Sequence, residues 1–168
     1  MQRRRLLQLG VGAAAVFGLA GAGVAWMPSA FEGGRLSAHS RSVFASLAVV
    51  MLEGSLPTDT KVREGALLRH LERVDATVAG LPGAARRDLG TLLALLGTAP
   101  GRLGLMGTTA GWDELPPARL AAALQSMRDS PLALRQQAYA ALRELTVASY
   151  FADRETWLQL GYPGPVPI

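Results

Sequence analysis

Residues 130–151 read SPLALRQQAYAALRELTVASYF. Leu134, Ala138, Leu142 and Leu145 recur in steps of four, four and three, the spacing that puts apolar side chains on one side of an α-helix. Ser130 is predicted as the N-cap and Pro131 as the first helical residue, where a missing N–H costs nothing. No part of the chain alternates apolar and polar residues long enough to predict a strand. The fold class follows: all-α.

Working upstream, the same period recurs. A helix from Ser37 presents Val43, Phe44, Leu47, Val50 and Met51 and stops at Gly54-Ser55-Leu56-Pro57. A second starts near Thr60, with Leu67, Leu71, Val74 and Val78 inward and Arg63, Glu64, Arg69, Glu72 and Arg73 on its other face. Gly80-Leu81-Pro82-Gly83 ends it. The third runs from Ala84 to Leu96 with Leu89, Leu92, Leu93 and Leu96 inward. Residues 97–115, rich in glycine, are predicted to be irregular. A fourth helix follows Pro116-Pro117 with Leu120, Ala123, Leu124 and Met127 buried.

Downstream, Asp153 is predicted to cap a last short helix containing Trp157 and Leu160, which Gly161 stops. Tyr162-Pro163-Gly164-Pro165-Val166-Pro167-Ile168 is expected to be extended. The expected architecture is a small bundle of about five helices over residues 31–168, behind a leader of residues 1–30 and ending in a proline-rich tail.

The 168 residues are 49% hydrophobic and 6% aromatic, with alanine and leucine in excess, which favours helix. The net charge is +4, but three of the arginines are Arg3, Arg4 and Arg5. Setting those aside leaves 14 basic residues against 13 acidic ones, so the body is nearly neutral and offers no basic field for nucleic acid. There are no cysteines and only two histidines, His39 and His70. Disulfides, thiolate zinc sites, iron–sulfur clusters and covalently attached haem are excluded.

The leader has its own grammar. Arg3-Arg4-Arg5 is followed by an uncharged run reaching Phe31, a basic n-region before an apolar one. It resembles a twin-arginine export signal, with Arg3 and Arg4 as the pair and Leu6 and Leu7 in the large apolar slots. Gln2 and Gln8 depart from the usual hydroxyl residue and lysine. The alternative is an ordinary secretory signal whose arginines supply charge alone. Gly23-Val24-Ala25 offers a small-x-small cleavage site. Left uncut, the run exceeds the ~20 residues that span a bilayer and would tether the chain to the inner membrane.

Candidate chemistry is thin. Gly101-Arg102-Leu103-Gly104-Leu105-Met106-Gly107 has no preceding strand and no lysine-serine ending, so it is not read as a phosphate loop. His70 has Glu72 and Asp75 nearby, but Glu72 is not at i+3 or i+4 and points elsewhere. His70 is read as a surface or helix-packing residue and His39 as a helix cap. Asp113-Glu114 lies at a helix entrance and Arg86-Arg87 on a solvated face. No serine sits in a nucleophile elbow.

The carboxy-terminal residues carry a resemblance. Tyr150-Phe151, then Trp157, then Gly161-Tyr162-Pro163-Gly164-Pro165 resembles the small (gamma) subunit family of gluconate 2-dehydrogenase. The small subunits of sorbitol and fructose dehydrogenases are similar, and Phe44 to Pro57 is similar to that family's first helix. The resemblance is strongest over residues 139–165. It implies a non-catalytic subunit that binds a folded, FAD-containing large subunit of the glucose–methanol–choline type, supplies its export signal and assists its maturation in the periplasm. It also implies electron transfer to a separate cytochrome c subunit or another acceptor. No catalytic, metal or cofactor residue is implied in this chain. Tyr150, Phe151, Trp157, Tyr162, Pro163, Gly164 and Pro165 are expected to form the partner interface, aromatic anchors on a proline-stiffened segment. The competing expectation is that Trp157 and Leu160 fold back to close the bundle. A different class also remains: a stand-alone exported helical protein, binding an apolar ligand between the leucines of the third helix and the glycine-rich segment, or serving another partner.

Overall fold

The computed structural model describes residues 27–157 and residue 161. The leader with Arg3, Arg4, Leu6 and Leu7, and the tail residues Tyr162, Pro163, Gly164 and Pro165, lie outside the described residues. The chain is all-α, seven helices and one small hairpin among the described residues. In order these are β1 (Phe31–Glu32), β2 (Arg35–Leu36), α1 (Ala38–Met51), α2 (Thr60–Ala79), α3 (Gly83–Leu96), α4 (Ala99–Met106), α5 (Pro117–Arg128), α6 (Ala133–Phe151) and α7 (Arg154–Trp157).

The helices that periodicity predicts are present, and side-chain caps set the starts of α1 and α2. Ser37 caps α1 by accepting from the Ser40 N–H at 3.3 Å. His39, expected as a cap, is instead the second residue of that helix. Asp59 accepts from the Val62 N–H at 3.0 Å and starts α2. The start of α6 falls two residues later than expected. Ser130 does not cap it; its hydroxyl accepts from the Leu132 N–H at 3.2 Å and closes a turn ahead of the helix.

Two departures have local causes. Residues 99–106, expected to be irregular, form α4. Thr98 Oγ accepts from the Gly101 N–H at 3.1 Å and donates to the Leu95 carbonyl at 2.9 Å, and Gly107 ends the helix at φ 75°. Gly101 is there for space: a Cβ on it would lie 2.0 Å from the Leu95 carbonyl oxygen. The helix turns 103° from α3 across that junction. No single helix among the described residues is long and apolar enough to cross a membrane.

The second departure is the hairpin. Phe31 pairs with Leu36 and Glu32 with Arg35, antiparallel, around Gly33 and Gly34 at φ 55° and 86°. Positive φ at both turn positions is the two-residue geometry that suits strand twist. Two-residue strands leave no alternation to read.

Helix α6 is central, contacting α1, α2, α4, α5 and α7. Its buried residues are Ala138, Leu142, Thr146, Ser149 and Tyr150. The main core gathers Phe44 and Leu47 of α1, Val74 of α2, Leu93 and Leu96 of α3, Leu120 and Met127 of α5, and Leu142. A second, smaller cluster of Ala48, Leu52, Leu56 and Tyr150 closes the other end of α1 and α6.

Candidate functional site

The predicted interface begins at the end of α6, and the structure divides its residues. Tyr150 is 2% exposed. It faces the second cluster, and its hydroxyl donates to the Ser55 carbonyl at 2.6 Å, joining α6 to the loop behind α1. Expected as a docking residue, Tyr150 is turned inward, because four-residue steps from Ala138 and Leu142 carry the buried stripe to it. Phe151 and Trp157 are half-buried. The Phe151 ring meets Tyr150 edge-on at 5.1 Å, and its carbonyl accepts from Trp157 Nε1 at 2.8 Å. The Arg154 guanidinium lies 5.8 Å from the Trp157 ring centroid, within cation–π range. Asp153 caps the short α7 as expected, accepting from the Glu155 N–H at 3.1 Å.

Between α2 and α7 runs a groove of about 200 Å³, lined by Pro57, Val62, Ala66, Arg69, Arg73, Asp153, Glu155 and Thr156, with Tyr150 behind them. Val62 is 54% exposed and forms an apolar edge. The charges differ in commitment. Arg73 is ion-paired with Asp153 and both are largely covered, whereas Arg69 and Glu155 stand 4.0 Å apart and well exposed. An apolar side chain flanked by a polar or charged group matches this lining. By spacing, Arg69 and Arg73 fall on the face of α2 opposite its predicted core residues. The available signal was that Val62, Ala66, Arg69 and Arg73 fall at i, i+4, i+7 and i+11 on one side of α2.

His70 lies behind this end, 0% exposed. Its ring meets Tyr150 at 6.1 Å and 64°, and neither ring nitrogen has a hydrogen-bond partner. Burial, and then the Arg73 charge, push its pKa down to about 4, so the ring is neutral at pH 7. Asp75, on the same helix, serves elsewhere. One carboxylate oxygen accepts from the Leu36 N–H at 2.8 Å, and the other takes Arg41 at 2.5 Å and Arg35 at 3.4 Å.

The remaining candidates make contacts within the fold. Burial, then Arg102, lowers the His39 pKa, with Asp113 opposing. Asp113 accepts from the Ser42 hydroxyl at 2.7 Å and Glu114 from the Gly111 N–H at 2.9 Å, bracing the loop before α5. Trp112 Nε1 and Arg102 both donate to the Leu96 carbonyl, at 3.1 Å each. Arg86, read as solvated, covers the Phe31 ring at 5.0 Å and donates to the Gly34 carbonyl at 2.6 Å. The α3 leucines Leu89, Leu92, Leu93 and Leu96 are buried in the main core. Among the described residues no three histidine, aspartate or glutamate side chains gather as a metal site would require. No protein-family model, curated protein or solved structure matches this chain.

Proposed function

We propose that this chain is a non-catalytic, exported accessory subunit of a periplasmic flavin-dependent dehydrogenase of the glucose–methanol–choline type. It binds the folded catalytic subunit, carries the export signal for both and assists maturation. The observation that supports this most is one of order along the chain: a twin-arginine-like leader, Arg3-Arg4 with Leu6-Leu7, precedes a cysteine-free helical body ending in Tyr150-Phe151, Trp157 and Gly161-Tyr162-Pro163-Gly164-Pro165. The twin-arginine route carries proteins already folded, and an FAD-loaded partner is such a cargo. Phe151 and Trp157, half-buried at the end of α6 and in α7, are the described residues assigned to docking. Tyr150 acts by holding that end in place. Tyr162, Pro163, Gly164 and Pro165 extend the proposed contact.

The test is co-expression with a flavoprotein of that type from the same genome that lacks its own signal. The expected result is flavin absorbance and dehydrogenase activity in the periplasmic fraction. Arg3→Lys with Arg4→Lys keeps the charge but removes the guanidinium pair, and should retain both subunits in the cytoplasm. Undiminished export of the flavoprotein by that variant, or without this chain, overturns the reading.

A further inference from the structure

We propose that His70 is an acid-sensitive latch, whose protonation releases the last turns of α6 together with α7 while the main core of the bundle holds.

The geometry is specific to this position. His70 is wholly enclosed, yet both ring nitrogens lack partners. A neutral imidazole tolerates that at the cost of unmade hydrogen bonds, but an imidazolium there would be a bare charge in an apolar setting. No nearby carboxylate is placed to compensate. On α2 itself the neighbour is Arg73, a like charge already paired with Asp153, and Asp75 is held by Arg41, Arg35 and the Leu36 N–H. From α6 comes Tyr150, whose hydroxyl is given to Ser55. Helix α1 carries only His39 and Arg41, in its first turns and away from this end. Glu53 and Asp59 in the following loop, and Arg154 and Glu155 of α7, are exposed.

The cheapest relief is local. The Tyr150 end belongs to the small second cluster, separate from the main core. Its long-range fastenings include the Tyr150–Ser55 hydrogen bond, the Arg73–Asp153 pair and the Ser149–Thr77 hydroxyl contact at 3.2 Å. A cation at His70 repels Arg73 and loosens the second of these as well. The sign is fixed by linkage. The folded pKa lies below the 6.5 of a free histidine, so the closed form is fully stable above that value and weakens as pH falls toward about 4. Because Phe151 and Trp157 ride on the released end, acid would also displace the residues proposed for docking. That consequence rests on the docking reading; the latch does not.

Amide hydrogen exchange on the full chain, corrected for intrinsic rates, tests the latch. Between about pH 7 and about pH 4.5, protection over residues 146–157 should fall on the order of fifty-fold, while α3 and α5 keep theirs. In His70→Leu that acid-dependent loss should disappear. An equal loss in the variant, a uniform loss along the chain, or no loss in the wild type overturns the proposal. Should His70→Leu not fold, the His70 ring resonances titrated by NMR decide instead. A midpoint near that of a free histidine overturns it, and one displaced well below supports it.

Discussion

The chain enters and leaves the folded body in different ways. At the entrance, the hairpin and the residues before it are fastened by partners far along the sequence. Asp75 of α2 receives Leu36, Arg41 and Arg35. Arg86 of α3 holds Gly34 and covers Phe31. Nearer in sequence, the Ala30 carbonyl accepts from the Ser37 N–H at 3.0 Å and the Ser40 hydroxyl at 2.9 Å. At the exit, most of the α7 bonds are short-range: Glu155 to Asp153, Thr156 to Asp153, Trp157 to Phe151. Long-range contacts raise the free energy of local opening, and short-range ones survive only while their own segment is ordered. The residues that follow the proposed export leader are thus firmly seated, and the end proposed for docking is the one expected to open more easily.

The largest expected effect is at the entrance. Asp75→Ala removes a buried carboxylate and leaves the Leu36 N–H without an acceptor and Arg41 without its counter-charge. Denaturant unfolding should show a loss of about 3 kcal/mol. A loss below about 1 kcal/mol would mean that the hairpin is not firmly tied to α2.

Gly97→Ala probes the same seat by packing. A Cβ at Gly97 would lie 2.4 Å from the Pro28 ring and 3.0 Å from His39 Nε2. The proline ring cannot rotate away, so the chain before the hairpin must move. A loss of about 1–3 kcal/mol is expected, as for other overpacked sites. Limited proteolysis should then cut near residue 28 first. Wild-type behaviour would show that this segment sits loosely and that the entrance begins only at the hairpin.

These sites also show what the sequence made legible. The apolar period placed α1, α2, α3, α5 and α6, because amphipathic helices write their buried side into spacing. Tyr150 lies two four-residue steps past Leu142 on the buried side, but its aromatic character points to an interface instead. Glycine misled at residues 97–107. Gly97 and Gly101 are read as breakers, yet they admit Pro28 and the Leu95 carbonyl at close range, and only the folded chain supplies those neighbours. The α2–α7 groove was hidden for a related reason. Arg69 and Arg73 belong to a polar face of their own helix, and a segment eighty residues later partners Arg73. Spacing within one helix carries no record of what another brings to it.

Tyr150→Phe probes the exit. The ring and its packing stay, but the bond to the Ser55 carbonyl is lost. A decrease of about 1 kcal/mol is expected. It should appear as faster exchange in the last turn of α6 more than as a shift of the global midpoint. A loss matching Asp75→Ala would erase the distinction between the two ends.

The smallest effect is expected at Arg69, and it separates docking from stability. Arg69 stands 4.0 Å from Glu155 with both side chains more than half exposed. Such a pair contributes about 0–0.5 kcal/mol, since water and salt screen it and two long side chains must be held still. Arg69→Gln keeps most of the stem that lines the groove and removes the charge. The melting midpoint should therefore match the wild type. If the groove receives the flavoprotein, dissociation of the complex should quicken, because a rim guanidinium next to an apolar cleft acts on the partner rather than on the fold. A clear drop in midpoint would mean that α7 is pinned through Arg69 and that the exit is as firmly fastened as the entrance. An unchanged midpoint with unchanged dissociation would place the docking contact on Phe151, Trp157 and the residues beyond them, leaving the groove outside it.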